Sequence, residues 1–98
     1  MSDVTQLLHT LVTRVRDGAG KAPVQLRRAA FDNTGLDEPV HTLVEKVAHQ
    51  SYRVTDGDIA AARTAGLSED EIYEVVVCAA VGQACRQYAA ARAAVAGA

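Results

Sequence analysis

The sequence predicts an all-α fold, a compact helical domain of about five helices. Three observations favour this fold. Hydrophobic residues recur at helical spacing along the chain, and two capping-box patterns mark the starts of helices. The most β-branched run, Val75 to Val77, follows one of those patterns and leads into an alanine-rich stretch. With 98 residues the chain has room for one domain, and we expect a single domain that comprises residues 1–98.

The predicted segments are a helix over residues 1–17, a linker over 18–22, and helices over 23–31, 38–52, 60–65 and 69–96. The linker is expected because Gly18, Gly20 and Pro23 interrupt the helical pattern. In the first helix, the hydrophobic residues at helical spacing are Val4, Leu7, Leu8, Leu11, Val12 and Val15. Asp37 is the predicted N-cap of the third helix, since Pro39 suits its first turn.

The two capping boxes begin at Thr55 and Ser68. Each hydroxyl residue is followed three positions later by an acid, Asp58 in the first box and Glu71 in the second. Gly66 lies between the boxes, where a glycine suits the end of a short helix. The pattern therefore predicts a short fourth helix, a tight turn, and a long last helix.

The last helix is expected to be enclosed on all sides. No residue between Val75 and Cys85 is charged, so hydrophobic side chains cover about three turns. The other helices of so small a domain can cover about half of that surface. We therefore expect a homo-oligomer that forms through this C-terminal helix. The small residues expected to permit close approach of the second copy are Ala79, Ala80, Gly82 and Ala84.

Composition and charge limit the kinds of partner that the chain is expected to bind. The chain has 19 Ala and 13 Val but only 1 Phe and 3 Tyr, so a monomer would have a thin core. Ten basic and twelve acidic residues give a net charge of −2 with no basic stripe, which argues against nucleic-acid binding. No uncharged run is long enough for a membrane span, and the first residues lack a signal-peptide pattern, so a cytoplasmic location is expected.

The segment from Val47 to Val81 resembles the core of the AhpD-like, or carboxymuconolactone decarboxylase-like, superfamily. The shared features are a helix, a short helix that ends in a Gly-Leu-Ser-Glu turn at Gly66 to Glu69, and a long hydrophobic helix. The resemblance covers about a third of the chain and implies an oligomeric helical protein.

Peroxidase members of that superfamily carry a Cys-x-x-Cys-x-x-x-His motif before the turn. The corresponding positions here are Ser51, Val54 and Asp58, so the resemblance implies that thiol peroxidase activity is lost. The decarboxylase branch uses no thiol and no cofactor, and we expect no cofactor here. Cys78 and Cys85 are seven residues apart on one helix, about 10 Å along its axis, too far for a disulfide.

One polar row on the third helix could carry chemistry. His41, Glu45, His49 and Tyr52 recur at spacings of four, four and three, away from the hydrophobic face. A solvated face, the lining of a polar pocket and part of a metal site are all compatible with this row, although residues of one helix alone cannot surround an ion. We assign no metal site.

Two main hypotheses follow. The first is a cofactor-independent small-molecule enzyme or ligand-binding subunit, in which Glu45 or His49 acts as the acid or base and Tyr52 orients a small polar ligand. The alternative is a non-catalytic helical scaffold or partner subunit. A third possibility is residual thiol peroxidase activity through Cys78, which needs an accessible thiol.

Overall fold

The computed structural model describes residues 2–97, and these contain five α-helices and no strand. The helices are α1 (Ser2–Val12), α2 (Val24–Asp32), α3 (Val40–His49), α4 (Asp56–Thr64) and α5 (Glu69–Gly97). A π-helical turn, Thr13–Asp17, continues α1, and a 3-10 turn, Ser51–Arg53, follows α3. The all-α prediction is confirmed. No helix within residues 2–97 combines the length and the hydropathy that a membrane crossing requires.

The length of α5 sets the shape of the molecule. Its 29 residues correspond to about 43 Å at 1.5 Å per residue, close to the longest dimension of 46 Å. The radius of gyration is 14.3 Å, larger than the roughly 13 Å of a compact domain of this size. The excess arises because the second half of α5 extends past the body formed by the other helices, where residues 86–97 are all exposed.

The predicted capping boxes at Thr55 and Ser68 are confirmed, and α4 begins directly after Thr55, at Asp56 rather than at residue 60. The Thr55 hydroxyl accepts from the Asp58 N–H at 3.2 Å, and the Asp58 carboxylate accepts from the Thr55 N–H at 2.9 Å. Ser68 and Glu71 form the same pair of bonds, at 3.1 and 2.8 Å. Gly66 has a φ of +108°, so the chain turns there in a conformation that glycine adopts at no steric cost.

The third helix differs from its prediction at both ends. It begins after Pro39, not after an Asp37 side-chain cap. The Glu38 carboxylate instead accepts from the Thr42 N–H at 3.0 Å and from the Thr42 hydroxyl. The helix ends at His49 and not at Tyr52, because the backbone of Gln50 leaves the helical region, with φ −149° and ψ 62°.

Two clusters of side chains form the core along α5. The first joins α2, α3 and α5 around Val44, Val75 and Cys78, all with no exposed surface. The second joins α3, α4 and α5 around Leu43, Ala62 and Ile72. The largest fully buried side chains are only leucine, valine and cysteine, so each contributes a modest area. The core is thin, as the composition predicts.

Gly82 lets α2 approach α5 closely. A Cβ placed on Gly82 would overlap the carbonyl oxygen of Phe31 and lie 2.7 Å from its carbonyl carbon. One turn further along α5, Arg86 Nη1 donates to the same oxygen at 2.6 Å. The expectation that Gly82 and Ala79 face a second copy is therefore wrong, since both are buried against this chain's own helices. Ala80 and Ala84 do remain exposed.

An ion-pair cluster joins the end of the first helical segment to α2. The Asp17 carboxylate accepts from Arg16 Nη2 at 3.0 Å and from Arg28 Nε at 2.9 Å. The hydrogen bonds from Arg16 and then from Arg28 lower the pKa of Asp17 from 3.8 to about 2. Since the pKa is lower in the folded chain, this carboxylate stabilises the fold above pH 3.8, and its contribution is lost as the pH falls to about 2.

We therefore expect Asp17→Asn to change how the free energy of unfolding depends on pH in acid. The free energy of unfolding of the wild type should fall more steeply between pH 3.8 and about 2 than that of the variant. Urea denaturation across this range, at one protein concentration, measures the difference. The control is Asp3→Asn, which removes an exposed carboxylate with no ion-pair partner among residues 2–97 and should keep the wild-type slope. Equal slopes for Asp17→Asn and the wild type would contradict the assignment.

Candidate functional site

The polar row on α3 centres on a contact between Glu45 and His49. Glu45 Oε1 lies 3.4 Å from His49 Nε2, and both side chains are half exposed, at 49%. Glu45 Oε2 accepts a hydrogen bond from Asn33 Nδ2 at 3.0 Å. The three side chains therefore form a connected row, amide to carboxylate to imidazole, that joins the end of α2 to α3.

Asn33 is the member of this row that the sequence pattern did not reveal. It ends α2 in the left-handed conformation, with φ 52°, and its N–H donates to the Ala30 carbonyl at 3.2 Å. Asparagine is one of the few residues that adopt this conformation readily. Its Oδ1 atom is buried and has no hydrogen-bond partner among residues 2–97. Asparagine at the end of a helix was the available signal, but it indicates a cap rather than a site.

Tyr52 and His41 do not join the row. Tyr52 lies in the turn after α3 and is 80% exposed, and His41 is exposed at the other end of the helix. Glu45, His49 and Tyr52 line none of the four main cavities of the described residues. No group of three potential metal ligands comes together within residues 2–97. In a single chain, the row is an open surface feature rather than a closed site.

The positions that correspond to the peroxidase motif have other contacts. Ser51 is exposed and Val54 packs at the edge of the second core cluster. Asp58 belongs to the capping box and also accepts from Lys46 Nζ at 2.8 Å. The hydrogen bond from Lys46, followed by the N–H of Thr55, lowers the pKa of this carboxyl. Asp58 therefore acts as a structural anion between α3 and α4.

The two cysteines are free thiols, and Cys78 lies in the core. The side chain of Cys78 has no exposed surface, and its Sγ donates to the Val15 carbonyl at 3.4 Å. Burial raises the pKa of this thiol, which opposes formation of the thiolate that redox chemistry needs. Cys85 is partly buried beside the first core cluster. These contacts give Cys78 a packing role.

A second polar cluster fastens the linker before α2, and sequence reasoning missed it. The Glu74 carboxylate accepts from the Lys21 N–H and the Ala22 N–H, both at 2.9 Å. Arg27, only 3% exposed, donates from Nε to the Ala22 carbonyl at 3.0 Å and from Nη1 to the Val15 carbonyl at 3.3 Å. Arg27 and Glu74 lie far apart in the sequence, on α2 and α5, and no local pattern around either residue indicates that they meet at the linker.

Comparison with known proteins gave no match to a family model, a curated protein or a solved structure.

Proposed function

We propose that this chain is a helical assembly subunit of AhpD-like type without the redox thiols, and that copies associate through α1 and the outer part of α5. The observation that carries the proposal is the set of hydrophobic side chains left exposed on these two helices. The arrangement of α3, the short α4, the turn at Gly66 and the long α5 supports the likeness to AhpD-like and carboxymuconolactone decarboxylase-like proteins.

The first exposed surface is a stripe along α1. Val4, Leu7 and Leu11 recur at spacings of three and four and are 48%, 70% and 44% exposed. Full burial of a Val or Leu side chain stabilises a contact by about 1.5–3 kcal/mol. A helix that places its hydrophobic stripe in water gains this energy only when a partner covers it.

The second exposed surface is the outer part of α5. Between Gln87 and Gly97 the only charged residue is Arg92, while Tyr88 and Val95 are 36% and 77% exposed. Most of the stability of a helix in a protein comes from the packing of one of its faces, and residues 87–97 of α5 are all exposed in the single chain. Contact with a second copy supplies the packing that would hold this segment helical. The same composition gives small side chains that let two such helices approach closely.

Substitution of Leu7 by Glu tests the proposal. A buried carboxylate without a partner is costly, so Leu7→Glu should reduce the average mass toward that of one chain. Sedimentation velocity at micromolar concentration measures the mass, and circular dichroism checks that helicity is kept. The control is Gln6→Glu, which adds the same charge at an exposed position of α1 that does not share the helical spacing of the stripe, and it should leave the assembly unchanged. An oligomer that persists in Leu7→Glu would exclude this stripe as the interface.

The alternative is a cofactor-independent enzyme or ligand-binding subunit that uses the α3 row. The specific observation in its favour is the row from Asn33 through Glu45 to His49, in which the buried Asn33 Oδ1 has no hydrogen-bond partner among residues 2–97. In this alternative, Glu45 or His49 exchanges a proton with a small polar ligand, Tyr52 orients the ligand, and a neighbouring copy closes the pocket.

Carboxymuconolactone is a probe of the alternative, because the superfamily that the chain resembles includes carboxymuconolactone decarboxylases. If the row is catalytic, wild-type protein should release carbon dioxide from this compound, and the double variant Glu45→Ala with His49→Ala should lose that activity. Sedimentation should show an unchanged assembly for the double variant. Glu69→Ala, which removes an exposed acid at the start of α5, is the control. Equal activity in wild type and double variant would exclude the row.

A further inference from the structure

A cavity of about 220 Å³ lies between the segment that leaves α1 and the first half of α5. Val15, Ala19 and Val77 form its apolar wall, and the largely exposed ring of Tyr73 lies at its edge. At about 30 Å³ per water molecule, this volume equals that of about seven waters. The cavity therefore has room for a small organic molecule. It is separate from the α3 row and from the exposed stripe on α1.

Arg27 lines this cavity and carries a buried charge that forms no salt bridge within residues 2–97, although Glu74 lies near enough to interact with it electrostatically. Its two hydrogen bonds go to neutral backbone carbonyls, those of Ala22 and Val15. No carboxylate of residues 2–97 lies within 4.0 Å of its guanidinium nitrogens, and its Nη2 atom donates to none of these residues. Buried charges in proteins are as a rule directly hydrogen-bonded to an opposite charge, whereas Glu74 compensates Arg27 only from beyond salt-bridge distance. This guanidinium therefore has a donor available for an anion.

Glu74 is the nearest acid, but its oxygens are engaged elsewhere. Oε1 and Oε2 each accept one backbone N–H of the linker, those of Ala22 and Lys21. Burial alone would raise the pKa of Glu74, but the two N–H groups and the charge of Arg27 lower it overall. The carboxylate therefore remains ionised and holds the linker in place. Its orientation is fixed by the backbone rather than by Arg27.

Arg14 adds a second positive charge to the cavity. It is exposed and forms no ion pair with any of residues 2–97. Among the lining residues, Arg14 and Arg27 contribute two positive charges and Glu74 one negative charge. The lining residues therefore have a net charge of one positive unit, next to the apolar wall of the cavity. Arginine suits a carboxylate because its planar donors match the two oxygens.

We propose that this cavity binds a small monocarboxylate with a short apolar body. The carboxylate accepts from Arg27 Nη2 and from the guanidinium of Arg14, so that Arg27 gains an anion bonded directly to its guanidinium. The apolar body lies against Val15 and Val77. The site does not depend on assembly, since every lining residue belongs to one chain and none belongs to the α1 stripe.

Benzoate is the probe, and benzamide is its neutral counterpart of the same shape. In a phosphate-free buffer at pH 7, benzoate should shift the backbone amide resonances of residues 14–22 and 73–78 in a saturable way. The expected dissociation constant is about 1 mM or lower. Benzamide should bind with a dissociation constant at least about ten times higher than that of benzoate, because it cannot form the charge-assisted hydrogen bonds. Inorganic phosphate, which lacks the apolar body, should bind more weakly than benzoate.

Two arginine variants complete the test. Arg14→Gln removes an exposed charge without disturbing the core and should raise the dissociation constant at least ~5-fold. Arg53→Gln, an exposed arginine remote from the cavity, should leave it unchanged. Benzamide binding as tightly as benzoate, or phosphate binding as tightly as benzoate, would overturn the carboxylate assignment. Shifts located elsewhere, or an unchanged affinity in Arg14→Gln, would overturn the site.

Discussion

Gly82→Ala should destabilise the protein by about 3 kcal/mol, at the upper end of the range for overpacking. The new methyl group would collide with the Phe31 carbonyl, a backbone group that cannot rotate away as a side chain can. Either α2 moves outward from α5, which opens the first core cluster, or the Arg86 hydrogen bond to the same carbonyl is lost. Urea denaturation at fixed protein concentration measures the change.

Gly57→Ala is the matched control for this prediction. Gly57 lies in the first turn of α4, and a Cβ there would meet only the Thr55 hydroxyl, at an ordinary distance of 3.5 Å. Alanine has the higher helix propensity, so this variant should gain up to about 1 kcal/mol. The same substitution in two helices should therefore have opposite signs. A Gly82→Ala protein as stable as the wild type would show that α2 and α5 do not approach closely at this point.

Leu43→Ala should cost about 2–5 kcal/mol. Leu43 has no exposed surface and is the largest fully buried side chain of the cluster that joins α3, α4 and α5. Its neighbours Ala62 and Ile72 are fixed by helices that start at the two capping boxes, so they cannot collapse freely into the space left behind. Since small domains have only about 5–15 kcal/mol of stability, the loss should be a large fraction of the total.

Leu7→Ala provides the comparison for Leu43. Leu7 is 70% exposed in the single chain, so its truncation should affect folding only through assembly. The loss in stability should then depend on protein concentration, whereas the loss in Leu43→Ala should be present at every concentration. Denaturation at two concentrations tenfold apart separates the two effects. A small, concentration-independent loss for Leu43→Ala would contradict the described core.

Local signals in the sequence predicted much of the fold. The capping boxes at Thr55 and Ser68 and the glycine at Gly66 depend on residues three or four apart, so their geometry follows from the chain itself. The helical spacing in α3 likewise placed Leu43 and Val44 in the core. These features required no knowledge of how the helices pack on one another.

Contacts between distant segments could not be predicted in the same way. The residue facing Gly82 is Phe31, fifty-one positions earlier, and nothing near either residue indicates the other. The bonds from Glu74 to the linker and the burial of Arg27 depend on the same packing. For the α3 row, spacing alone brought Glu45 and His49 together, but it could not reveal Asn33 or the departure of Tyr52 from the helix.

Sedimentation velocity of the wild-type chain over a range of micromolar concentrations is the most direct test of assembly through α1 and α5. The proposal predicts a principal species with at least twice the 10.3 kDa mass of one chain, which dissociates on dilution. A single 10.3 kDa species at all concentrations would contradict it, and the exposed hydrophobic residues would then need another partner.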